Sequence, residues 1–244
     1  SSSSGNATLL GDFLRVYEPA MVRWIYAGTR PGSEFAVSFD EDIIKLYEDW
    51  DKCERIYYGV ETGKNDKDTA QQKRNYELSA VDSETISSEM PIQPGFRHLT
   101  TLVQVYQHDI ERVVEWFVAN GKCELTPTNL ARLTTRARCV SNWLKTYAPT
   151  SFVFRVNETF DGSIITGEMR PVLEKFIEVL EGEGDADSKG TAIWQYCKDN
   201  ELNIKDFFGT CYQLLISKDK GPKLVPFIEE VGVDLFISRL KAAL

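Results

Sequence analysis

Three observations predict an all-α protein. Apolar residues recur at spacings of three and four in one segment after another. No stretch sustains the alternating period of a strand beyond a few residues, and turns rich in Gly and Pro separate the periodic segments.

The first segment, Leu9 to Tyr26, carries Leu10, Leu14, Tyr17, Met21 and Trp24 in helical rhythm, with Pro19 starting or kinking a turn. Gly28 to Gly32 (GTRPG) is a turn, and Glu34 to Asp40 alternates briefly before a strong helix, Glu41 to Ile56, that Asp40 is placed to cap. From Tyr58 to Gln93 the chain turns polar. Tyr76, Leu78 and Val81 point to an ordered excursion, with a mobile portion near Glu61 to Gln72. Pro91 and Pro94 close it.

A single helix is expected from about Arg97 to Val118, with Leu102, Val105, Tyr106, Val113 and Trp116 on its stripe and Gly121 at its end. Thr126-Pro127 opens the next helix, Thr128 to Tyr147, because Pro is tolerated in a first turn. Pro149 stops it, and Phe152 to Val156 is a short extended piece. Thr166 to Leu180 is helical. The Gly-rich acidic run Glu181 to Gly190 is the best linker in the chain, and helices follow over Ala192 to Lys198, Asn203 to Ile216, and Lys223 to the end with a break near Gly232.

Hydrophobic content of 42% and charged content of 27% are globular values. No apolar run reaches the 18 or so residues of a membrane span, and no signal peptide is visible, so no membrane partner is expected. The chain does not begin with Met, which fits a piece of something longer. Cys53, Cys123, Cys139, Cys197 and Cys211 are too scattered for a disulfide scaffold and fit reduced thiols in the cytoplasm. His98 and His108 are the only histidines, and both suit packing or hydrogen bonding, so no metal site is expected. Acidic clusters such as Asp40-Glu41-Asp42 read as solvated helix starts. No dinucleotide or P-loop glycine pattern occurs.

Charge is unevenly distributed. The net charge is −9, yet Leu125 to Val156 carries Arg132, Arg136, Arg138, Lys145 and Arg155 with no Asp or Glu. Such an island is where an anionic partner is sought. On a helical wheel, Arg132 and Arg136 lie on one side of the apolar stripe with Trp143 close to them, and Arg138 and Lys145 lie on the other. Two readings stay open. The basic stems cover the edges of a hydrophobic stripe, or they contact phosphates while the indole stacks on a base. Two further anion-facing places are the loop with Lys218, Lys220 and Lys223 around Gly221-Pro222, and Ser1 to Asn6, which is either a leader or a phosphate cradle.

From Pro31 onward the blocks RPGSEFAVSFDEDIIKLYEDWDKCERIYYG, Phe96-Arg97-His98-Leu99, Trp143, Tyr147-Ala148-Pro149 and Gly221-Pro222 near Phe227-Ile228 resemble class I lysyl-tRNA synthetases, the archaeal type also found in some bacteria. In that likeness Ser1, Ser2 and Ser3 match the last positions of a Lys-Met-Ser-Lys-Ser loop, and Gly5 and Asn6 match its tail. Ser2 departs from the pattern, standing where the second Lys belongs, and the His-x-Gly-His signature does not occur in the chain.

The resemblance implies a loop remnant over residues 1–6, a stem-contact-like helical domain with a polar insertion over 7–90, and an anticodon-receiving helical cage over 91–180 and 191–244. It implies that an intact enzyme, with ATP and Mg2+, forms lysyl-adenylate and transfers lysine to tRNA(Lys). This chain alone, without a catalytic domain and with no cofactor of its own, is expected to bind tRNA as a monomer without catalysing. Arg132, Arg136, Arg138, Trp143, Lys145, Lys218, Lys220 and Lys223 are then the candidate tRNA contacts. The competing expectation is a helical protein-interaction module with no nucleic-acid role.

Overall fold

The computed structural model describes residues 11–28, 37–81 and 86–244. Among them there is no strand, and the expected all-α class is what the chain adopts. The chain forms two compact units, Ser1–Val153 and Phe154–Leu244. The Ser1 to Asn6 segment and most of the GTRPG turn lie outside the described residues.

In the first unit a helical segment over 11–16 precedes α1 (Pro19–Gly28). Helix α2 (Asp42–Tyr57) buries Ile43, Tyr47, Trp50 and Cys53 at helical spacing. Its N-cap is Glu41, which makes no side-chain cap; the expected Asp40 stands one residue earlier, its carboxylate accepting the Asp42 N–H at 2.9 Å and its carbonyl the Ile43 N–H at 3.2 Å.

Helix α3 (Asp66–Ser79) begins within the stretch expected to be mobile, with the Asn65 side chain accepting the Asp68 N–H at its N-terminus. Its polar composition belongs to a solvated helix rather than a loose loop. Tyr76 anchors it to the core by stacking on Trp50 (5.1 Å between centroids) and Tyr57 (4.5 Å).

The single helix expected from Arg97 to Val118 is two. Helix α4 (Phe96–Val105) and α5 (Ile110–Ala119) are separated by Gln107 and His108, both left-handed with φ of 51° and 65°. Asp109 then restarts the helix by accepting the Arg112 N–H. Helix α6 (Pro127–Thr146) opens as expected, with the Thr126 hydroxyl accepting the Asn129 N–H at 3.1 Å and Pro127 in the first turn. It packs against α4 and α5, and its buried stripe joins Tyr17, Tyr47, Trp50, Phe96 and Leu99 in one core.

The second unit comprises α7 (Met169–Glu181), α8 (Ala186–Asp199), α9 (Ile204–Ile216), α10 (Leu224–Val231) and α11 (Val233–Ala243). Phe176 meets Phe207 and Phe236 at its centre. The run Glu181 to Gly190, read from sequence as a linker, is the end of α7, a short interhelical turn over 182–185 and the first turns of α8, all inside this unit. Gly184 is at φ 118°, the Asp185 carboxylate caps α8 through the Ser188 N–H at 2.8 Å, and the Lys189 ammonium donates to the Leu180 carbonyl at 3.0 Å. Helix α8 therefore starts before Ala192. Gly232, at φ 112°, separates α10 from α11 where the break was expected.

Candidate nucleic-acid interface

Helix α6 has two different polar faces. Leu133, Ala137, Val140 and Leu144 form its apolar stripe, and Arg136 and Trp143 fall within that stripe at spacings of three and four. Both are fully buried, and Arg132 is only 10% exposed at its side chain.

Arg136 forms a fork with Asp51, its two terminal nitrogens donating to Oδ2 at 2.9 Å and Oδ1 at 2.8 Å. Its Nε donates to Glu18 Oε2 at 3.0 Å, one terminal nitrogen also reaches the Pro94 carbonyl at 3.0 Å, and the guanidinium lies 5.2 Å from the centroid of the Tyr47 ring. Arg132 makes a second fork with Glu54 at 2.7 and 2.6 Å, and its Nε approaches Glu18 Oε1 at 3.2 Å. Glu18 thus bridges the two guanidiniums. Glu54 also accepts the Tyr76 hydroxyl at 2.7 Å and the Gln93 amide at 3.0 Å.

The charges in this cluster set each other's protonation. Burial opposes ionisation of Glu54, but the hydrogen bonds and charge of Arg132 outweigh it and hold the carboxyl below its ordinary range. Burial pushes Asp51 above its ordinary range despite Arg136, and the neighbouring Glu54 charge adds to the rise. Burial also opposes the charge on Arg136, and Glu18 and Asp51 more than restore it.

This geometry corrects the expected RNA-facing role of Arg132 and Arg136. Their N–H groups are spent on internal carboxylates and carbonyls, and their burial leaves no face for a phosphate. Trp143 is corrected likewise. Its Nε1–H donates to the Phe39 carbonyl at 2.8 Å, and its ring meets Phe96 and Phe152 edge-to-face at 5.3 Å. No base can stack there.

Arg138 and Lys145 are exposed. Seven residues apart, they lie about two turns from one another on the same side of α6. Between them, Asn142 donates to the Arg15 carbonyl at 2.9 Å, which brings the exposed Arg15 to the same side. Sequence reasoning missed Arg15, since its approach to α6 is a tertiary contact. Ser141 and His108 flank the strip, joined by a 2.8 Å hydrogen bond.

In the second unit, Lys220 and Lys223 are exposed and Lys218 is half-buried, all in the connection from α9 to α10. Lys223 pairs with Asp187. Gly221 does permit a close approach, but of the Tyr212 ring, whose Cδ1 would lie 2.8 Å from an added Cβ. Among the described residues, no group of three His, Cys, Asp or Glu side chains is placed to hold a metal ion, all five cysteines are free, and no helix is long and apolar enough to cross a membrane.

Comparison with known proteins supplies the class. A family described as tRNA synthetases class I (K) matches residues 1–82. More particularly, the chain is 35% identical over 240 residues to the lysine–tRNA ligase of Borreliella burgdorferi, covering 97% of this chain and 44% of that protein. It is 33% identical over 245 residues to the lysine–tRNA ligase of Pyrococcus furiosus, covering 99% of this chain and 46% of that one. The lysine–tRNA ligase of Treponema pallidum is 32% identical over 238 residues, covering 95% and 43%. The chain therefore matches roughly the C-terminal half of class I lysine–tRNA ligases of the archaeal and spirochaete kind, and it spans less than half the length of these relatives.

Proposed function

We propose that this chain is the tRNA-docking and anticodon-reading part of a class I lysine–tRNA ligase. The observation that carries the reading is the match along nearly the whole chain to lysine–tRNA ligases from both spirochaetes and archaea. The helical fold is compatible with it. In this reading residues 7–90 approach the tRNA stem, and the helices over 91–180 and 191–244 receive the anticodon loop as a cage.

The chemistry assigned to the intact enzyme is ligation of lysine to tRNA(Lys), with ATP cleaved to AMP and diphosphate. ATP with Mg2+ supplies the activation when bound, and the chain's own part is to hold and orient the tRNA. Its residues dock RNA through the exposed cations Arg138 and Lys145 on α6 and Lys220 and Lys223 in the loop before α10, with the half-buried Lys218 beside them. A single-stranded loop is read by splayed bases, through stacking and hydrogen bonds to their edges. With a net charge of −9, affinity rests on these local patches and falls steeply with salt. The chain acts in the cytoplasm as a monomer, together with a catalytic domain, and does not catalyse alone.

The test is binding of the purified chain to a tRNA transcript bearing the lysine anticodon, beside the same transcript with the anticodon replaced. Tighter binding of the first is expected. Equal binding of both, or of neither, overturns anticodon reading.

A further inference from the structure

The second unit holds a groove of about 370 Å³, within the size range of pockets that take small organic groups. Trp194, Phe208, Val225 and Pro226 line it, and the ion pair of Asp187 with Lys223 stands at its edge. Trp194 is 45% exposed, unusual for the largest apolar side chain. Lys198, one turn along α8, sits 5.1 Å from the centroid of the Trp194 ring and steadies it.

From this groove we infer a binding slot for one unpaired nucleobase, stacked on Trp194. The inference rests on the tRNA-docking reading and locates one contact within it. Three features favour a base over an apolar peptide side chain. The slot is lined by flat rings and aliphatic carbons, which suit a planar ligand. Its edge offers a carboxylate acceptor next to an ammonium donor, matching the adjacent donors and acceptors on a base edge. Lys198, beside the Trp194 ring, supplies positive charge for the phosphate of a stacked nucleotide. None of these residues belongs to the buried ion cluster of the first unit.

The experiment measures affinity of the full chain, Trp194→Ala and Trp194→Phe for a stem-loop RNA carrying the lysine anticodon. Each loop position is then made abasic in turn. Far-UV circular dichroism checks that the variants fold, and the abasic series probes the contact without altering the protein. Loss of one base stack weakens binding roughly 5- to 150-fold. That loss is expected for Trp194→Ala, with Trp194→Phe close to the wild type. One abasic position should reproduce it in the wild type and add nothing in Trp194→Ala.

Wild-type affinity in Trp194→Ala overturns the slot. If the wild type still prefers the lysine anticodon, tRNA reading stands and the groove is left as a protein-docking surface. A loss in Trp194→Ala that no abasic position reproduces also overturns it. Failure of the wild type to bind the RNA at all removes both readings together.

Discussion

Arg136 and Asp51, 85 positions apart in the chain, meet in a two-point fork at 2.8 and 2.9 Å inside the first unit. Arg136 is fully buried, so its charge is tolerated only because Asp51 and Glu18 surround it. Arg136→Ala leaves both carboxylates without that counter-ion. A loss of about 3–5 kcal/mol is expected in urea unfolding. Arg138→Ala, on an exposed position of the same helix, should change stability by no more than about 0.5 kcal/mol. Equal effects of the two substitutions would contradict the assignment of inner and outer arginines.

The outer face carries the RNA prediction. Arg138→Glu combined with Lys145→Glu should weaken binding to a lysine-anticodon tRNA while the unfolding midpoint stays near wild type. Removing a cation that touches one phosphate lowers the slope of log affinity against log salt by about 1. Fluorescence anisotropy titrations at several salt concentrations read that slope. An unchanged slope would mean that this face does not touch the tRNA backbone.

The break between α4 and α5 offers a backbone test. Gln107 is exposed and left-handed, a conformation that costs a residue with a Cβ about 1–2 kcal/mol. Gln107→Gly removes that cost but gives the unfolded chain more freedom. A net gain of about 1 kcal/mol is expected in thermal denaturation. A loss of stability would show that the glutamine side chain contributes more than the strain.

His108 links stability to pH. Burial and the nearby positive charge of Lys145 hold its imidazole below the ordinary value of 6.5. A base with a depressed folded pKa contributes stability above its unfolded pKa and loses it as pH falls below that value. Stability should therefore decline as pH drops from about 6.5, and His108→Asn should flatten that part of the profile. Parallel wild-type and variant profiles between pH 7 and 5 would exclude His108 as the source.

Most helices were legible because their apolar spacing, Thr126-Pro127 and Gly232 are local signals. The break at Gln107 and His108 was not, because neither Gly nor Pro marks it and the apolar period runs across it. The linker reading of Glu181 to Gly190 failed for a related reason. Gly and Asp serve a tight helix-to-helix turn as readily as a flexible connection. The basic island was visible, but counting charges could not separate inner from outer arginines. A signal did exist. Arg136 and Trp143 occupy stripe positions beside Leu133, Ala137 and Val140, where side chains face a neighbouring element. Their carboxylate partners lie too far along the chain for spacing to pair them.

Glu18, Asp51 and Glu54 all lie within the 1–82 segment that matches the synthetase family, whereas both arginines that neutralise them lie on α6. During synthesis the three acids therefore emerge well before their counter-ions. An excised 1–82 segment would have to leave them in water, holding its helices apart, or bury them unpaired. What reads as a self-contained block in comparison with relatives is thus not a self-contained folding unit, and minimal fragments meant to fold need to extend through Arg136.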